Sequence, residues 1–285
     1  MTLEEAIAKI KPLDHNAMEI AQKRWDSIAK PLHSLGKLET LLIQIAGITG
    51  NAEVDLSRRG LIAMCADNGV VEEGVTQTGQ EVTAIVAENF LKYDTSVGVM
   101  CKQNHAEIFP VDMGMVTDTK VRTDHKIAYG TQNMTKGPAM TREQAVKGLE
   151  AGIDMVRELN DKGYRILATG EMGIGNTTTS SAVASVLLKQ PVEEMTGRGA
   201  GLTSEGLMRK INAIKKAIAL NKPDPEDAID VLAKVGGLDI AGMAGVFLGG
   251  AVYGIPVVMD GFISCVSALI AMRICPAARD YILAS

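Results

Sequence analysis

The chain has 285 residues, 46% of them hydrophobic and 22% charged, with a formal net charge of −5. That balance suits an ordinary globular core, and the dispersed charges, with no basic tract, argue against a nucleic-acid or membrane-surface partner. Four cysteines without Cys-x-x-Cys pairing or a spaced histidine cluster offer neither a disulfide framework nor a zinc site, so no metal is expected and a reducing cytoplasm is the simplest compartment.

The N-terminus mixes acidic and basic residues and lacks the apolar core of a signal peptide. No apolar run reaches the roughly 20 residues that a membrane span needs. Residues 1–50 carry helix-like apolar spacing and no strand, interrupted at Lys30-Pro31, where the restriction on a residue before proline ends a helix. From Leu61 the pattern changes. Short apolar runs at 61–66, 106–112, 165–170 and 255–260 end in polar or glycine-containing turns, and longer helical stretches lie between them. That alternation predicts an α/β fold, a Rossmann-like parallel sheet flanked by helices over residues 51–285, with residues 1–50 as the helical part of a small domain.

In such sheets ligands gather at the carboxyl ends of the strands. Four places there carry a carboxylate beside a glycine: Asp67-Asn68-Gly69, Asp112-Met113-Gly114, Gly170-Glu171-Met172-Gly173 and Asp260-Gly261. Acid–glycine pairs are also common turn chemistry, but four in register point to a site.

The stretch from Ala168 to Leu188 enters a glycine-rich loop from a strand and leaves through Thr177, Thr178, Thr179, Ser180 and Ser181 into a helix. Glycines allow a ligand close to the backbone, and the first turn of a helix offers unpaired N–H groups and a partial positive charge. Gly173, Gly175, Asn176 and Thr177 are therefore candidates to hold a phosphate. Neither the dinucleotide fingerprint nor the P-loop pattern is present. A hydroxyl-rich helix cap would explain the threonines too, though not the embedded Glu171. A second glycine-rich stretch, Thr196 to Gly201, precedes a helix bearing Lys210. Arg198, beside Gly199, and Lys210 could complete the charge balance of a phosphate, although a lone lysine on a helix is ordinarily solvated.

Several segments, in order, are similar to one family, the nicotinate-nucleotide:dimethylbenzimidazole phosphoribosyltransferases of cobamide lower-ligand activation. Its N-terminal signature is matched by Lys30-Pro31-Leu32-His33-Ser34-Leu35-Gly36-Lys37-Leu38-Glu39. Its Asp-His-Gly-Val string is matched by Asp67-Asn68-Gly69-Val70, with Glu81-Val82-Thr83 following. Further matches are Gly130-Thr131-Gln132-Asn133, Pro138-Ala139-Met140-Thr141, Gly236-Gly237-Leu238-Asp239 and Asp260-Gly261-Phe262. The most specific is the nine-residue string from Gly170 to Thr178. The resemblance spans nearly the whole chain.

It implies transfer of the phosphoribosyl group of nicotinate mononucleotide to a benzimidazole, with inversion at the anomeric carbon and release of nicotinate. No cofactor is implied, and the partners are the two small molecules plus a second subunit, in a homodimer or in a heterodimer with a homologous chain. By the same resemblance Glu171, Gly173 and Lys210 contact the nucleotide, and Asp239 and Asp260 lie at the active-site floor, where they could instead cap helices or brace loops. Thr76 and the segment from Gln80 to Ile85 face the acceptor.

The departures carry weight. The family ends in a segment with Arg-Leu-Gly-Glu-Gly whose glutamate is the general base, and this sequence, closing at Ser285, does not contain it. Glu171 then becomes the candidate base, and a non-catalytic or half-site subunit that binds nucleotide or a homologous partner chain is the alternative reading. Asn68 stands where the family has histidine, Gln132 where arginine is usual, and Ile85 where glutamine is common, so a less polar acceptor pocket could take a phenol. Cys65 and Cys265 read as core residues.

Overall fold

A computed structural model describes residues 1–285. Three helices open the chain: α1 (Leu3–Ile7), closed by a capping box between Thr2 and Glu5; α2 (His15–Ser27), capped by Asp14; and α3 (Lys37–Thr49), which stops at Gly50 in the left-handed conformation. Lys30-Pro31 falls in the break between α2 and α3, as the pre-proline restriction requires.

Five strands follow: β1 (Arg59–Ala66), β2 (Ala106–Gly114), β3 (Ile166–Met172), β4 (Val257–Met259) and β5 (Ile282–Ala284). They form one all-parallel sheet in the order β2-β1-β3-β4-β5. The first four coincide with the four apolar runs. β1 is buried from Ile62 through Ala66 because helices cover both faces of the sheet, which is why it reads as a continuous apolar run rather than an alternation. β5 lies outside the sequence reading. Three residues carry no period, and only the pairing Val257↔Ile282 and its neighbours makes them a strand.

The crossovers are helical: α4 (Glu81–Lys92) and α5 (Ser96–Gln103) link β1 to β2, and α6 (Arg142–Asp161) links β2 to β3. Between β3 and β4 run α7 (Asn176–Leu188), α8 (Val192–Met195), α9 (Ser204–Asn221), α10 (Ala228–Val235) and α11 (Leu238–Tyr253), and α12 (Phe262–Ile274) precedes β5. α11 has no polar stripe and is buried from Leu238 through Ala251, as expected of a helix inside the core. Ile240, Met243, Phe247 and Leu248 are fully buried there, each contributing roughly 1.5–3 kcal/mol. Glycines set its distance from α6. A Cβ at Gly152 would stand 2.1 Å from the Gly242 carbonyl oxygen, and one at Gly245 would stand 2.0 Å from that of Leu149.

The N-terminal helices pack against both the α6–α11 pair and the end of the chain. The Leu3 N–H donates to Glu150 at 3.0 Å, the Gln44 amide donates to the Asp280 and Ile282 carbonyls, and the Tyr281 hydroxyl donates to the Lys11 carbonyl at 2.7 Å. No helix is long and apolar enough to cross a membrane. The crossover from β1 leads to one edge of the sheet and that from β3 to the other, so the carboxyl ends of β1 and β3 flank the topological switch point.

Candidate active site

The four acid–glycine turns separate into two kinds. Asp67, at the end of β1, is fully buried; one of its oxygens accepts the Val116 N–H at 2.8 Å, and its carbonyl accepts that of Thr131. Asp112 accepts the Met115 N–H at 2.8 Å and pairs with Lys126 at 3.2 Å. These two brace the loops above β1 and β2 and line neither of the pockets described below. Glu171 and Asp260 instead line one pocket of about 150 Å³, with Gly170, Thr177, Met243 and the start of α12. The expectation that all four acid–glycine turns serve one site is therefore corrected: the Val116 amide, distant in sequence, claims Asp67, and the neighbouring Met115 amide with Lys126 claims Asp112.

Glu171 sits where β3 faces Met64 of β1. Past it the chain turns through Gly173 and Gly175, the latter at φ +96°, and becomes α7. Gly175 occupies the cap position and no side chain caps the helix; the Asn176 and Thr178 N–H groups bond the Gly173 and Gly175 carbonyls, which leaves the Thr177 N–H of the first turn free for an anion. The hydroxyl-cap alternative fails here. Thr179 donates to the Asn176 carbonyl and to the Asn68 side chain, Ser181 donates to the Thr177 carbonyl, and Thr178 and Ser180 are buried within the helix packing.

Thr177 is the hydroxyl that faces the loops. The Lys210 ammonium donates to it at 2.8 Å and to the Gly197 carbonyl at 3.2 Å. Lys210 is 1% exposed, so the solvated-face reading of this lysine does not hold, and burial pulls its pKa down to about 8. Around Thr177 a second pocket, of about 140 Å³, is lined by Thr76, the turn from Gly173 to Thr177, and Arg198 to Leu202. Arg198 reaches this pocket but not Lys210: its guanidinium donates to the Leu202 carbonyl and the Ser204 hydroxyl, bracing its own loop. Gly199, at φ +55°, leaves room beside Thr177, 3.1 Å from where a Cβ would be.

Asp239, at the start of α11, is fully buried. The Asn176 amide donates to it at 2.8 Å and to Glu171 at 2.5 Å, so one amide joins two carboxylates. Burial pushes the Asp239 pKa up to about 7, against the hydrogen bond from Asn176 that lowers it, and the neighbouring Glu171 raises it further. Burial also raises Glu171, and the Asn176 hydrogen bond opposes that. Asp260 is exposed and accepts the Ser285 hydroxyl at 2.8 Å.

The expected acceptor residues do not converge. Thr76 lines the pocket around Thr177, but Gln80 donates to the Asn68 carbonyl at 3.2 Å, and Ile85 is 57% exposed on α4 and lines neither pocket. A helix presents its faces every three to four residues, and the face carrying Thr83 and Ala84 is the one that packs inward. Sequence reasoning missed Gln77, whose amide donates to the Gly201 carbonyl at 2.7 Å and ties the two loops together, and Met243 in the pocket wall. The string Thr76-Gln77-Thr78 after a strand end was the available signal for the first; Met243 carries none. Elsewhere Asp124, His125 and Glu158 cluster, but the guanidinium of Arg122 bonds both carboxylates.

This arrangement can hold a phosphate at an uncapped helix terminus beside a buried cation, with carboxylates one pocket away. The same chain is matched by the phosphoribosyltransferase family model DBI_PRT over residues 10–285. A protein of Ruminiclostridium cellulolyticum named nicotinate-nucleotide–dimethylbenzimidazole phosphoribosyltransferase is 53% identical over 287 residues, covering 100% of this chain and 82% of that one. A protein of the same name from Clostridium acetobutylicum is 52% identical with the same coverage. The crystal structure of CobT from Thermus thermophilus superposes with a TM-score of 0.89 at 36% identity, over 94% of this chain and 81% of that one. The site geometry, the full-length match and the shared fold together establish that the chain belongs to the nicotinate-nucleotide–dimethylbenzimidazole phosphoribosyltransferase family.

Proposed function

We propose that the chain transfers the phosphoribosyl group of nicotinate mononucleotide to a benzimidazole-type or phenolic lower-ligand base, giving an α-riboside phosphate and nicotinate. The observation that carries this reading is the joint between the two pockets: Thr177 belongs to both, with Lys210 behind it and Glu171 and Asp260 ahead of it. The phosphate sits against the α7 terminus and Lys210, and the ribose points its anomeric carbon toward the carboxylates.

The bond from that carbon to the pyridinium nitrogen breaks, and its electron pair neutralises the ring as nicotinate leaves. The leaving group already carries positive charge, so its departure needs no acid. The imine-type nitrogen of the benzimidazole attacks the opposite face, and the proton on its other nitrogen passes to Glu171. The negative field of Glu171 and Asp260 stabilises the oxocarbenium-like carbon between the two events.

Incubating the protein with nicotinate mononucleotide and dimethylbenzimidazole should release nicotinate and α-ribazole phosphate in equal amounts, followed by chromatography. Nicotinate release that does not depend on the base would make the chain a hydrolase, and nucleotide binding with no turnover would make it a non-catalytic subunit. Phenol in place of the benzimidazole tests the less polar acceptor.

The chain also works as a dimer in this reading, with a second copy or with a homologous subunit. Ile20, Ile28, Leu32, Leu35 and Leu38 are exposed along the N-terminal helices and the loop joining them, and apolar surface of that kind favours association. Sedimentation at micromolar concentration should give a dimer, and a monomer would overturn the assignment. Four free cysteines support a cytoplasmic setting; Cys65, Cys101 and Cys275 are buried, whereas Cys265, expected in the core, is exposed on α12.

A further inference from the structure

We infer that Asn176 is a positioning residue of this transfer: anchored on Asp239, its side-chain amide aims the Glu171 carboxylate at the pocket. The inference rests on the phosphoribosyl-transfer reading above and extends it to the side-chain amide of Asn176 and to Asp239 behind it.

The amide nitrogen of asparagine carries two hydrogens in diverging directions, and here each has its own carboxylate, at 2.5 Å for Glu171 and 2.8 Å for Asp239. Serine or threonine at this position would have one hydrogen to give, aspartate none, and glutamine would carry the amide one methylene further along. The backbone of Asn176 is held independently. Its N–H donates to the Gly173 carbonyl at 3.0 Å, and its carbonyl accepts the Thr179 hydroxyl at 3.1 Å.

Asp239 has no exposed surface, whereas Glu171 is half-buried and forms part of the pocket wall. The buried acid is bonded to Glu171 through Asn176, and the two carboxylates also feel each other's charge. Gly173 keeps the joint open, because a Cβ there would stand 2.5 Å from the Asp239 oxygen that Asn176 bonds and 3.1 Å from the amide nitrogen itself. The titratable groups around Glu171 are Asp239 from α11, Cys65 from β1, whose thiol burial holds protonated, and Asp260 from the same pocket. The Cys65 thiol donates to the Ala63 carbonyl, and the side-chain hydrogen bond that Glu171 accepts comes from Asn176.

The Asn176→Ala variant should lower kcat by ~10- to 100-fold, the scale of a misaimed catalytic group, while KM for nicotinate mononucleotide moves by less than about threefold. Its acid limb should shift to higher pH, since Glu171 loses the donor that favours its charged form. Asp239→Ala should give the same fall in kcat, and the double variant should be no worse than either single one, because the two act as a unit. Asn176→Ser, which retains one donor, should fall between wild type and alanine and serves as the test should the alanine variant not fold. A raised KM with unchanged kcat, or fully additive losses, would overturn the inference. A wild type without transfer activity would overturn the functional reading alone. Carbon NMR titration of the Glu171 carboxyl then decides: the midpoint must rise in the Asn176 variant, and an unmoved midpoint sinks the inference.

Discussion

Glu171→Gln should lower kcat by about 10²- to 10⁴-fold, the usual contribution of a positioned general base, with little change in KM for the nucleotide. Glutamine has the same shape, and its carbonyl oxygen can still accept the hydrogen bond from Asn176, so the substitution removes the charge and the proton acceptor while leaving the pocket wall in place. Burial raises the Glu171 pKa, so activity that needs its carboxylate should climb with pH through a midpoint above the ordinary glutamate value. Asp239, at about 7, ionises close by, and the observed midpoint belongs to the pair rather than to either residue. In the glutamine variant this limb should flatten. A phenolic acceptor should lose more than a benzimidazole, because phenol oxygen is a weak nucleophile until deprotonated. Steady-state assays with both acceptors across pH test each part, and undiminished turnover by the glutamine variant would remove Glu171 as the base.

Lys210→Met should weaken nicotinate mononucleotide binding by ~10- to 100-fold, the scale of a lost charged hydrogen bond. The lysine titrates at about 8 in the free protein because burial penalises its charge, and an incoming phosphate favours that charge. Below pH 8 the site is already cationic and the nucleotide binds without taking up a proton. Above it, binding must first protonate the lysine, so affinity should fall by up to about tenfold per pH unit until the ordinary lysine range is reached. Calorimetry in buffers of different ionisation enthalpy measures that proton uptake, which should vanish in the methionine variant.

The same burial has a stability consequence with the opposite sign to the binding effect. The folded pKa lies below the unfolded one, so burying the charged lysine costs stability at all pH values below about 8. That cost disappears as pH rises toward the unfolded value of 10.5. The methionine variant should therefore melt higher than wild type at neutral pH while binding more weakly, a trade common at functional sites. An unchanged affinity would place the phosphate elsewhere.

Local pattern alone marks β1 to β4 and the nature of the central loop. A parallel strand covered on both faces must be apolar throughout, and the runs at Leu61–Ala66 and Ala106–Asp112 say so without reference to anything distant. The glycines of the Gly170–Gly175 turn likewise announce a special backbone: Gly175 lies at φ +96°, and a Cβ at Gly173 would stand 2.5 Å from the Ala66 carbonyl oxygen. Which side chains that turn meets depends on contacts between distant segments. Asp67 and Glu171 share one local signature, a carboxylate and a glycine after an apolar run. One is claimed by the amide of Val116, brought from beyond β2, and the other is left to face a pocket. Asp239 reaches Asn176 across 63 residues of chain. Arg198 turns back on its own loop, Ile85 faces outward on α4, and β5 exists only through β4. Each of these outcomes depends on a partner supplied by another element, and neither the period of a segment nor its composition records which partner arrives.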